Sequence, residues 1–223
     1  MLKLIKLAKI FKETDFNNLL SDIKITSTEI FDTVHDYDIP IWDIRLVEIE
    51  NDYKLPVFIT AFYDYILINQ TIPTSEEFFL YYLDYNSPFF MANHYPTYLM
   101  IGLKARCYRL YPSLIREFHF TKIVQECLSD YKVIYNMKLD IYEGIDLMII
   151  KDDNYFGVNL FVSTYHSKQF RKEKKSHHTT FDNVTYVDSP ISLSGSDTIK
   201  CGKFILYGYN HYHELINNLK INK

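Results

Sequence analysis

Residues 143–164 read EGIDLMIIKDDNYFGVNLFVST, and the architecture is best read outward from this run. Ile145, Leu147, Met148, Ile149 and Ile150 form an apolar segment of strand length. A polar KDDN turn at 151–154 follows, and 156–162 is a second apolar, aromatic-rich segment. Asp146 stands inside the first segment. A carboxylate among such neighbours is costly unless it is partnered or its charge is used.

Outward from this run, 133–139 has strand character and 140–144 reads as a turn. Upstream, Tyr111-Pro112-Ser113 is a helix start, because proline is tolerated in a first turn. Leu114, Phe118, Val124, Cys127 and Leu128 then mark a buried stripe, with Arg116, Glu117, Lys122, Gln125 and Glu126 largely elsewhere. Downstream, 167–175 reads as a short basic helix, 185–187 and 204–207 as strands, and 213–219 as a closing helix.

The first hundred residues are read as mostly helical. Residues 15–23 look helical and 39–47 strand-like, and the near-continuous apolar run 55–69 is too long for a strand and reads as a buried helix. From 74, a capping threonine or serine precedes Glu76 and Glu77, where the helix dipole favours acids, and Phe78, Phe79, Tyr82 and Leu83 make an apolar face. Prolines break the pattern within 86–96. The expected organisation is a helix-rich region over 1–105 and an α/β core over 106–223. The fold class is mixed α/β or α+β, with a central mixed sheet flanked by helices.

The 223-residue chain is 48% hydrophobic, enough for a real core, which excludes a disordered chain. Its formal charge of −4 does not announce a nucleic-acid binder, but five basic residues and one acid lie between Lys168 and Lys175, ahead of His177 and His178. Three widely spaced cysteines without a CxxC pair point away from a zinc ribbon or redox dithiol and towards reduced, structural thiols. The amphipathic N-terminus has no cleavage-type segment, and no run approaches the ~20 apolar residues of a membrane span, so a cytoplasmic, non-membrane protein is expected. His35 and Asp36 lack further ligands at useful spacing and read as a solvated loop. No GxxxxGK[ST], GxGxxG or GxSxG motif is present. A dyad of Cys107 or Cys127 with His119 would place the thiol among core-type neighbours.

The order helix, strand, strand with Asp146, strand, helix, strand over about 111–207 resembles the PD-(D/E)XK nuclease-like superfamily, as a divergent member. The resemblance implies a restriction-endonuclease-like core. It makes Asp146 the metal-binding acid and Glu117, or alternatively Glu126, the acid on the helix. On the third strand the family's acid falls at Asn159 and its lysine at Phe161, which departs from the pattern. Lys168 or Lys172 on the following helix could replace that lysine. The implied cofactor is Mg2+, or Mn2+, held by Asp146 and Glu117. The implied catalytic set is Asp146, Asn159, Lys168 and Glu117.

The matching partner is nucleic acid, DNA before RNA. Two cationic sets could meet its backbone: Lys168, Arg171, Lys172, Lys174 and Lys175 on the basic segment, and Arg106, Arg109 and Arg116 upstream. The arginines could equally neutralise local acids. The expected function is nucleic-acid processing or binding in a defence, restriction or mobile-element system, by metal-dependent phosphodiester cleavage if the site is intact. The alternative is a non-catalytic interaction subunit whose Tyr/Phe-rich N-terminal half holds a partner protein. Asp146 also has a structural alternative: pairing with a lysine such as Lys138, or hydrogen bonding to turn amides.

Overall fold

The computed structural model describes residues 18–50, 54–164 and 183–221. The basic segment with Lys168, Arg171, Lys172, Lys174 and Lys175, the helix expected over 167–175, and the N-terminal part of the helix expected over 15–23 lie outside these residues. The elements are α1 (Leu19–Asp22), α2 (Ser27–His35), α3 (Val47–Glu50), α4 (Phe58–Asn69), α5 (Ser75–Tyr85), α6 (Ser87–Ala92), a 3-10 turn (Thr97–Leu99) and α7 (Met100–Cys127). There follow β1 (Lys132–Ile134), α8 (Met137–Glu143), β2 (Leu147–Lys151), β3 (Asn154–Val162), β4 (Val184–Ile191), β5 (Thr198–Cys201), β6 (Phe204–Tyr207) and α9 (Tyr209–Ile221). The class is α+β.

Local chemistry fixes several of these ends. Thr74 and Glu77 form a reciprocal capping box at α5, and Thr26 and Glu29 form another at α2, each satisfying amides that a helix start leaves unpaired. The expected helix at 55–69 is α4, which buries Ala61, Phe62, Tyr63 and Ile66 and stops at Gln70 in left-handed conformation. The β2–β3 hairpin turns through Asp152 and Asp153, with φ of 48° and 61°, between the paired residues Lys151 and Asn154. Two positive φ values in a two-residue loop match the right-handed twist of the flanking strands.

β1, β2 and β3 run antiparallel in order, and β4 joins the free edge of β3 in parallel. β5 and β6 make a separate antiparallel pair. Alternation along the strands sorts the side chains to two faces. Val133, Leu147, Ile149, Phe156, Val158, Leu160, Val187 and Ile191 join the main core with the helices. Ile134, Ile145, Met148 and Val184 pack with Leu139 of α8 on the other side. The packing is tight at Gly157, where a Cβ would meet Val184 at 3.1 Å and Ile145 at 3.3 Å.

The axis of the molecule is α7, 28 residues long, which packs on α2, α5, β1 and β6. Its side chains share one continuous core with both halves of the chain, including stacked pairs Tyr63–Tyr135 (centroids 4.2 Å apart) and Phe120–Tyr207 (4.4 Å). The division expected at 105/106 therefore falls inside an unbroken helix. The helix start expected at Tyr111 is also corrected. Pro112 lies within α7, where the packing of buried Tyr108, Tyr111 and Ile115 around it offsets the missing amide bond.

Two strand assignments are revised. Residues 39–46 form no strand and Val47 opens α3: Ile41 is 95% exposed, no strand among the described residues pairs with the segment, and Trp42 and Leu46 pin it onto the core. The strand expected over 133–139 ends at Ile134, because the Asn136 side chain accepts the Lys138 and Leu139 amides and starts α8. The turn expected at 140–144 is the end of that helix, closed by Gly144 at φ 65°. Strands expected at 156–162, 185–187 and 204–207 correspond to β3, β4 and β6, and the closing helix to α9. Among the described residues, no helix is long and apolar enough to cross a membrane.

Candidate functional site

Asp146 sits immediately before β2 and not inside it. Its amide donates to the Val158 carbonyl (3.0 Å), and its carboxylate accepts the Leu160 amide at 2.5 Å. The paired register of β2 and β3 ends at Leu147 and Val158, so the carboxylate caps a ladder that has run out of backbone partners. The structural alternative is thus partly realised, through a strand amide. Lys138 is exposed on α8.

The same carboxylate lines a small cavity with Glu117 of α7 and Asp140 of α8, among Ile59, Tyr63, Leu114, Thr121, Tyr135 and Leu160. About 10 Å³ is free inside it, enough for one water-sized species. Glu117 and Asp146, singled out from sequence, are brought together here. Tyr135 donates its hydroxyl to Asp140 Oδ2 (2.9 Å). Burial first, and then the charges of Asp140, Glu117 and Asp146, hold the Tyr63 phenol well above its ordinary range. Tyr207 is shifted the same way, by burial and then by Glu117 and Asp146. Both phenols are therefore neutral near these acids.

Asn159 is not part of this cavity. Val158 and Leu160 point to the core, so Asn159 points to the opposite face, where its side-chain amide donates to Asp188 of β4 (3.1 Å). The expected position was one residue out of register: the β3 side chain on the cavity is Leu160, which cannot replace an acid. Glu126, the alternative helical acid, instead accepts the Ser27 amide (2.8 Å) and hydroxyl at the start of α2.

The arginines expected to meet a phosphate backbone are engaged internally. Arg116 is 5% exposed and donates through Nε to the Ile205 carbonyl (2.7 Å), tying α7 to β6. Arg106 donates to the Ile49 carbonyl and lies over the Phe58 ring. Arg109 donates to the Ile44 carbonyl (2.7 Å) and pairs with Glu50. The neutralisation of local acids considered for this set is realised at Glu50. Lys168 lies outside the described residues.

Asp140 was missed from sequence because its segment was read as a turn. Asn136, a capping residue, and Gly144, a helix terminator, bracket it and were the available signal. Cys107 and Cys201 are buried and Cys127 exposed, all as free thiols, and burial pushes the Cys107 thiol up, an inert setting for a nucleophile. His35 and Asp36 form an exposed contact at 2.9 Å.

The donor chemistry of the cavity suits a small hard cation: its acidic lining, Glu117, Asp140 and Asp146, offers oxygen ligands only, beside space for one such ion. A three-ligand cage is not formed, since no group of three or more metal-ligating side chains occurs among the described residues. No family model, curated protein or solved structure matches the chain.

Proposed function

We propose that the Glu117–Asp146 cavity is the divalent-cation site of a nuclease-like core that acts on nucleic acid. One observation carries this: acids from α7 and from the start of β2, far apart in sequence, line one water-sized space. The element order supports it, since a long helix precedes three antiparallel strands and a fourth strand lies parallel to the third. Glu117 and Asp146 would hold Mg2+ or Mn2+, with Asp140 kept nearby by Tyr135. Such a cation supplies charge neutralisation at a phosphate and an activated water. The chain's own contribution is to aim the Asp146 carboxylate through the Leu160 amide. The proposed setting, a defence, restriction or mobile-element system, follows only from the resemblance.

A second reading, a non-catalytic interaction subunit, is favoured by Asn159. The third-strand side chain facing the acids is apolar, so the described part of the site lacks the charge set for cleavage.

The test is incubation of the full chain with plasmid, single-stranded DNA and RNA in Mg2+ or Mn2+. Wild type is compared with Asp146→Asn and Glu117→Gln. Metal-dependent cleavage lost in both variants supports the nuclease. Salt-sensitive binding without cleavage supports a binding module. Neither activity, together with a stable protein partner, supports the subunit.

A further inference from the structure

A second cavity, of about 230 Å³, lies on another side of α7, lined by Ser27, Thr28, Phe31, His119, Ile123, Cys127, Ile199, Gly208 and Tyr209. Its chemistry is set by His119, which is 4% exposed. No hydrogen bond reaches the imidazole, and Nδ1 is also closed off from solvent. That leaves Nε2 as the nitrogen a ligand can reach. Phe31 lies beside the ring, tilted at a centroid distance of 6.4 Å.

Burial without a partner forgoes the hydrogen bonds that water supplies, at about 1–3 kcal/mol per group. A well-packed protein rarely leaves an imidazole in this state beside an open space. Desolvation lowers the His119 pKa to about 4, so the ring facing the cavity is neutral near pH 7, one nitrogen a donor and the other an acceptor. The Ser27 hydroxyl is already committed to Glu126. Phe31, Ile123 and Ile199 make the wall largely apolar, and among the described residues no Asp, Glu, Lys or Arg side chain lines it. An anion would meet no counter-charge among the described lining residues and would lie near the Glu126 carboxylate at Ser27, which such a wall penalises.

We propose that this cavity binds a compact, neutral, mainly apolar molecule carrying a single hydroxyl group that hydrogen-bonds to His119. A hydroxyl both donates and accepts, so it suits either tautomer of the ring. An enclosed apolar cavity of ~150 Å³ holds benzene, so the ~230 Å³ of this more open cleft has room for a single substituted aromatic ring of roughly ten non-hydrogen atoms. The site is independent of the carboxylate cavity and of any nuclease activity.

The test uses the full chain with three probes of similar size: phenol, toluene and benzoate. Ligand-observed NMR and calorimetry measure binding to wild type, His119→Phe and Ile123→Trp. Phenol is expected to bind at least fivefold more tightly than toluene, with benzoate not binding. His119→Phe should abolish that preference while keeping toluene, and Ile123→Trp should block both. An independent readout is Cys127, a lining residue and the exposed thiol of the three: saturating phenol should slow its alkylation in wild type. That measurement stands even if a variant fails to fold. Phenol that binds no better than toluene, or leaves Cys127 alkylation unchanged, overturns the proposal.

Discussion

The Asp146 carboxylate accepts the main-chain amide of Leu160 at 2.5 Å, so one side chain both closes the β2–β3 ladder and faces Glu117 across a cavity. The two roles separate by substitution. Asp146→Asn keeps an oxygen for the Leu160 amide and should lose under ~1 kcal/mol of stability. Asp146→Ala strands the amide and should lose about 1–3 kcal/mol. Denaturant melts of both variants measure this. Equal losses would mean that the hydrogen bond contributes nothing to the fold.

Arg116 is expected to act as a tie between α7 and β6. Arg116→Ala leaves the Ile205 carbonyl unpaired and removes a buried stem, and should destabilise by about 2–4 kcal/mol, measured by urea unfolding. Nucleic-acid affinity, if present, should be unchanged when corrected for folded protein, because the guanidinium is buried.

The β2–β3 turn holds two aspartates in left-handed conformation. Replacing Asp152-Asp153 by Asn-Gly, the preferred pair for such a turn, should raise stability by about 0.5–1 kcal/mol. Thermal unfolding reads it as a rise in Tm, and a fall would show that the aspartates make contacts of their own.

Stability should weaken in mild acid through His119. Its folded-state pKa, lowered to about 4 by burial, lies below its ordinary value of 6.5, so the unfolded chain binds the extra proton first. The contribution is complete above pH 6.5 and is lost as pH falls towards 4, by up to ~3 kcal/mol. His119→Phe should flatten this part of a stability–pH profile.

Much of the fold was legible because local signals agreed with the packing. Thr74 with Glu77 announces α5, the length of the apolar run announces α4, and the KDDN turn between two apolar segments announces the β2–β3 hairpin. What failed was decided by distant partners. Pro112 reads locally as a beginning, yet aromatic burial on both sides carries the helix through it. Residues 39–47 look extended, but no strand among the described residues lies alongside to pair with them. At the site, Asp146 was recognisable as an acid placed among apolar neighbours, whereas Glu117 was singled out only by the resemblance. Asn159 was not placed correctly, because whether a strand residue faces one layer or the other turns on a single step of register. The arginines looked like a contact surface because a sequence cannot show the carbonyls of Ile44, Ile49 and Ile205 waiting for them.

Glu117 and His119 stand two positions apart on α7, about 200° around a helix of 3.6 residues per turn. The acid-lined space and the imidazole pocket are consequently back-to-back chambers separated by one rod. Their linings share no residue, so filling one chamber should leave the walls of the other in place, and a ligand in either should be blind to its neighbour.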